Sequence, residues 1–104
     1  MQQKNLISNG VKEMNQRRAI VSVIGKDQVG IIAKVTNVLA ENKINILDIS
    51  QTILQDFFTM MMLVDLTEAS DLESLQNQLS AIGNSMNLNI NVQLEEIFQS
   101  MHRV

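Results

Sequence analysis

The sequence holds no cysteine, no tryptophan and no tyrosine, and a single histidine, His102, close to its end. Without cysteine there is no disulfide, no thiol nucleophile and no Cys-ligated zinc, a composition that fits a reducing compartment. The opening Met1-Gln2-Gln3-Lys4-Asn5 carries no apolar core of signal-peptide length. The longest nearly apolar run, Phe57 to Val64, is far shorter than the roughly 20 residues of a membrane-spanning helix. A cytoplasmic chain with no membrane partner is therefore expected. Positive charge is also scarce: 8 basic against 11 acidic residues leave a net charge of −3, with a pI near 4.9. That balance, and only three phenylalanines for aromatics, argue against a nucleic-acid partner, whose binding needs a basic patch and stacking platforms.

What is present suits one small domain. The chain has 104 residues, 45% of them apolar, enough for a single core. Residues 1–17 are polar without a sustained period and read as a flexible N-terminal arm. Within them Gly10-Val11-Lys12-Glu13 directly precedes Met14. Gly, Lys and Glu codons are purine-rich, as a ribosome-binding site read in frame would be, so Met1 and Met14 both stand as candidate starts of the native product.

The organising stretch runs from Gly25 to Asn45. A polar loop, Gly25-Lys26-Asp27-Gln28-Val29-Gly30, leads into Ile31-Ile32-Ala33-Lys34-Val35-Thr36-Asn37-Val38-Leu39-Ala40-Glu41-Asn42. Ile31, Val35, Val38 and Leu39 share one helical face, and Lys34, Asn37 and Glu41 the other. Asp27 is placed to cap the first turn. Gly30 removes a side chain where that turn begins. A helix N-terminus with free amides, held between two strands, can receive a small polar or anionic molecule.

On either side the period is two. Arg18 to Ile24 alternates with apolar residues on both faces, as a central strand does. Asn45 to Leu54 places Leu47, Ile49 and Ile53 on one side and Asp48, Ser50 and Thr52 on the other. Phe57 to Leu66 puts Phe58, Met60, Met62 and Val64 on one face and Phe57, Thr59, Met61 and Leu63 on the other. Ser70-Asp71-Leu72-Glu73 reads as a capping box opening a second helix along Leu72, Leu75, Leu79, Ile82 and Met86. Leu88 to Leu94 alternates again, and Ile97, Phe98 and Met101 suggest a short final helix over 95–104.

The order β-α-β-β-α-β, with right-handed crossovers, gives an α+β ferredoxin-like sandwich. It is a four-stranded antiparallel sheet with two helices on one face and the first and third strands at its centre. The helix-covered face is expected to take Phe58, Met60, Met62 and Val64, with Leu47 and Ile49 from the second strand and Ile90 and Val92 from the fourth. Phe57, Met61 and Leu63 then stand on the open face with an apolar row from the first strand. Such a strip is rarely left bare on a monomer, so a homodimer using these three residues is expected, aided by the final helix. Chemistry is poorly supplied. His102 has no nucleophile near it in sequence. Asp48, Asp56 and Asp65 are not spaced to pair, Ser50 and Thr52 have no base beside them, and no oxygen cluster for a metal can be assembled. The expectation is no enzyme, no cofactor and no metal.

The run Asp27-x-x-Gly30-Ile31-Ile32-Ala33-x-Val35-x-x-x-Leu39-Ala40-x-x-x-Ile44-Asn45-Ile46 resembles the ACT domain, a regulatory module of this same fold, and the likeness covers residues 18–94. Asp48-Ile49-Ser50-Gln51-Thr52 and Asp56-Phe57-Phe58-Thr59-Met60-Met61 are similar to the stand-alone single-ACT bacterial proteins of unassigned role and to the ACT halves of glycine-cleavage regulators. The resemblance implies pairing through sheet edges or faces. It also implies an effector, commonly an amino acid, held between the first β-α loop and the partner. The matching positions are Gly25, Asp27, Gly30 and Ile31, with Asn45 from the second strand. The chain departs from the serine-binding pattern of some members, with Gly at 25 for their His and Asp27 for their Asn. With no catalytic or DNA-binding domain attached, output passes to an unknown partner protein or through the dimer. The other reading is a ligand-free interaction or dimerisation module.

Overall fold

The computed structural model describes residues 17–69 and 71–96. Four strands, β1 (Arg18–Lys26), β2 (Asn45–Leu54), β3 (Phe57–Asp65) and β4 (Leu88–Leu94), alternate with two helices, α1 (Ile31–Glu41) and α2 (Leu72–Met86), in the order β1-α1-β2-β3-α2-β4. The sheet order is β2-β3-β1-β4, and every neighbouring pair is antiparallel. The two strands whose sequences are apolar on both faces are thus the two at the centre. β1 runs two residues further than its alternation suggested, because Gly25 and Lys26 still pair with Phe58 and Phe57.

Ala19, Val21 and Val23 of β1 and Phe58, Met60, Met62 and Val64 of β3 form the floor of the core. Ile31, Val35 and Leu39 of α1 and Leu75, Leu79 and Met86 of α2 close it from above. Ile90 and Val92 of β4 are half-buried against this cluster. Spacings of three and four on the helices, and of two on the strands, deliver one side of each element to the same interior.

β2 departs from the expected pattern. A bulge falls between Ile46 and Asp48, and Leu47 and Ile49 do not fill the helix-covered face. Ile49 shares the register of buried Met62 yet remains 45% exposed, because neither helix reaches over the edge strand beyond the half-buried Ile46. The helix starts also differ. α2 is capped by Asp71, whose Oδ1 accepts from the amides of Glu73 at 3.1 Å and Ser74 at 3.3 Å, one residue later than the capping box placed the cap. At the far end, Arg18 Nε and Nη2 donate to the two carboxylate oxygens of Glu95 at 2.8 and 2.6 Å. This pair fastens the chain's exit from β4 to β1. The chain turns helical at Glu95 and Glu96. The expected arm over 1–17, apart from exposed Arg17, and the final helix beyond Glu96 lie outside the described residues.

Candidate functional site

Three connections meet at the end of the sheet where β1 runs out: the β1-α1 loop, the β2-β3 hairpin tip and the C-terminus of α2. Gly25 sits between Phe58 and Leu88. A Cβ there would lie 2.6 Å from Leu88 Cδ2 and 3.3 Å from the Asn87 carbonyl, so close approach of the chain start of β4 requires glycine. The Asp27 amide donates to the Asp56 carbonyl at 2.7 Å, tying the loop to the hairpin tip. Gln28 Nε2 donates to the Met86 carbonyl at 2.9 Å and to the Lys26 carbonyl at 3.2 Å. It thereby occupies one of the carbonyls that the end of α2 leaves without an intrahelical partner.

Asp27 does not cap α1. The N-cap is Gly30, at φ 95° and ψ 0°, and no side chain bonds to the first turn. Its carbonyl accepts the first helical bond from the Lys34 amide at 3.0 Å. The positive φ, rather than crowding, is what calls for glycine, since a Cβ at Gly30 would meet nothing within 4 Å. The amides of Ile31, Ile32 and Ala33 therefore point out of the helix end without an internal acceptor. The partial positive charge of that end adds to their pull on an anion. Asp27 is exposed beside them, and Val29 at the loop apex is 99% exposed. The Ile31 side chain is 2% exposed and belongs to the core, so it can offer a ligand only its amide.

Asn45 is not brought to this loop. It pairs with Asp65, which lies opposite Arg18, while the loop begins beyond Lys26 opposite Phe57. Eight residues of strand separate the two ends, about 27 Å at ~3.4 Å per residue. Within one chain Asn45 instead lines a broad groove of about 580 Å³, with Ala33, Thr36, Asn37 and Ala40 on the α1 side and Ile44 and Ile46 on the β2 side. The carboxylates of Asp56 and Asp65 are likewise at opposite ends of β3, and Ser50 and Thr52 are both exposed. Among the described residues no three His, Cys, Asp or Glu side chains could hold a metal. No helix there is long and apolar enough to cross a membrane. His102 lies outside the described residues.

The open face carries Phe57 at 60% exposure and Met61 at 38%, with Leu63 half-buried beside them. Gln28 and Asp56, the two anchors of the loop, escape sequence reading because each bond joins residues far apart in the chain.

An antiparallel βαββαβ sandwich with two helices on one face is a ferredoxin-like fold. The family model for the ACT domain matches residues 17–93, and the chain belongs to the ACT domain family. It is 52% identical over 88 residues to a UPF0237 protein of Clostridium acetobutylicum, covering 84% of this chain and 99% of that one. The solved ACT domain protein from Streptococcus pneumoniae is 44% identical, with a TM-score of 0.69 over 80% of this chain and 94% of its own. A structure described as a candidate glycine cleavage system transcriptional repressor shares the fold. It has a TM-score of 0.66, 20% identity, and coverage of 76% of this chain and 45% of that one.

Proposed function

We propose that this chain is a non-catalytic regulatory module of the cytoplasm that binds a small effector, an amino acid, at the β1-α1 loop. The observation that carries the reading is the contrast between the two helix starts. Asp71 satisfies the amides of α2, whereas those of α1 are left open at an exposed loop anchored on both sides. Free amides at a helix start suit a carboxylate. The Asp27 carboxylate, released from any capping role, suits an ammonium group. Together they complement the two charges of an α-amino acid. Gly25 and Gly30 shape the loop, Ile31 supplies an amide, and Asn45 joins the site only from a second copy, given its place at the other end of the sheet.

The module works as a homodimer, with Phe57, Met61 and Leu63 in the contact. A thermal-shift screen of the full chain against the amino acids tests the effector. A ligand at 100 times its Kd stabilises by about 2.7 kcal/mol, and Asp27→Ala removes that gain without changing the unliganded midpoint. The apolar strip that Phe57, Met61 and Leu63 form on the open face among the described residues favours a second reading, a ligand-free interaction module, and a screen with no shift from any compound supports it instead.

A further inference from the structure

The chain leaves the sheet on its open face. Ala19 and Leu94 turn toward the core, so by alternation their neighbours Arg18 and Glu95 turn the other way. The two hydrogen bonds between that arginine and that carboxylate hold the exit there. The backbone becomes helical at Glu95 and Glu96, and the sequence continues from Ile97 to Val104. Beside this exit the open face has a hollow of about 170 Å³. Ile20, Met61 and Leu63 line it, with Asp48 and Ser50 on its β2 side.

We propose that residues 97–104 carry the helical turn onward and seat in this hollow of their own subunit, closing the Leu63 end of the open face. The pattern suits the seat: Ile97, Met101 and Val104 follow spacings of four and three, with Phe98 beside them, and so form one apolar stripe. The length suits it as well. Residues 97–104 span about 12 Å as a helix at ~1.5 Å per residue. From β4, strands β3 and β2 lie about 10 and 14 Å away at ~4.8 Å per strand. The stripe therefore ends over the hollow. The charges are complementary too. Glu95 begins the segment against Arg18, and Arg103 near its end comes to the side where Asp48 is exposed. The seat lies at the opposite end of the sheet from the effector loop and does not depend on it. Phe57, at the loop end of the strip, is left for the contact between copies.

The chain has no cysteine, so pairs of thiols can be placed without background. Met101→Cys is combined with Leu63→Cys in the hollow, or with Glu68→Cys, exposed at the same end of the sheet but off the open face. A segment merely tethered at Glu96 meets both positions alike, whereas a seated one raises the effective concentration at Leu63 alone. Under a mild oxidant the Leu63→Cys pair is expected to close an intrachain disulfide on the order of 10-fold faster than the Glu68→Cys pair, read as a fast-migrating monomer on a non-reducing gel. Adding Phe98→Asp removes that preference while the far-ultraviolet circular dichroism stays that of the parent. Equal rates for the two pairs overturn the proposal. So do disulfides that join two chains rather than close within one, since they assign the hollow to a second copy. In the cysteine-free chain Phe98→Asp is also expected to move the methyl resonances of Ile20 and Leu63. Methyls left in place overturn the seat independently of any thiol.

Discussion

Gly30 offers a sharp test of how the loop is built. At φ 95° an L-residue bears a steric penalty between its Cβ and its own backbone, about 1–2 kcal/mol for a left-handed conformation. Open space around the position means that nothing else adds to that cost. Alanine also restricts the unfolded chain, which returns roughly 0.4–1 kcal/mol. Gly30→Ala is thus expected to destabilise by about 1 kcal/mol. Gly30→Val, β-branched and far less tolerant of positive φ, is expected to cost at least ~2 kcal/mol. Gly30→Asn, which enters this region readily, should cost less than either. For a domain of this size ~1 kcal/mol moves the melting midpoint by roughly 4–8 °C. With no Trp or Tyr in the chain, far-ultraviolet circular dichroism in urea is the assay, and the midpoint should fall at constant slope. The order Asn, Ala, Val is the signature. A Gly30→Val protein as stable as the parent refutes the conformational account, and equal losses for all three point to crowding instead.

Four further outcomes follow. Asp71→Ala is expected to cost about 1 kcal/mol, because it strips the cap from α2. Asp27→Ala, which caps nothing, should stay within about 0.5 kcal/mol of the parent in the same urea titration. Hydrogen bonding from Arg18 is the main influence holding the Glu95 carboxyl below its ordinary value of 4.5, against a smaller opposing desolvation. Because the folded value is the lower one, this stabilisation is present above the unfolded pKa and is lost as pH falls through the folded value. Glu95→Gln should therefore flatten part of the stability decline below pH 4.5, and at neutral pH it should cost no more than ~1 kcal/mol, since the pair is partly exposed. Met61→Asp should shift the sedimentation-equilibrium mass of the chain toward that of a monomer, leaving the helical dichroism intact, if the open face is a contact.

The frame of the fold is written in short-range periodicity, which is why strands two and four were bounded in the sequence as they stand in the structure. The double-faced apolar patterns of Arg18–Ile24 and Phe57–Leu66 also located the sheet's centre. Periodicity fails where the answer depends on what lies overhead. Ile49 and Ile53 alternate as buried residues do, but whether a helix covers them is settled by how far α1 and α2 reach across the sheet. Caps fail for a related reason. Asp27 has the right chemistry three residues early, yet the tight left-handed turn at Gly30 starts the helix after it has passed. Ser70-Asp71-Leu72-Glu73 signalled the correct helix, with Asp71 as the residue that caps it. For the candidate site, the glycines and Asp27 were legible as loop chemistry. The separation of Asn45 from them follows only from strand register, and the Gln28 and Asp56 anchors depend on contacts that no local pattern encodes.

The most direct test of an effector site at the uncapped start of α1 is an amide chemical-shift titration of the isotopically labelled chain with each amino acid. The prediction is that at least one moves the amides of Gly30, Ile31, Ile32 and Ala33 saturably, and that Asp27→Ala weakens the response. If every amino acid leaves those four amides where they were, or the shifts fall only on other surfaces, the effector site assigned to this loop is wrong.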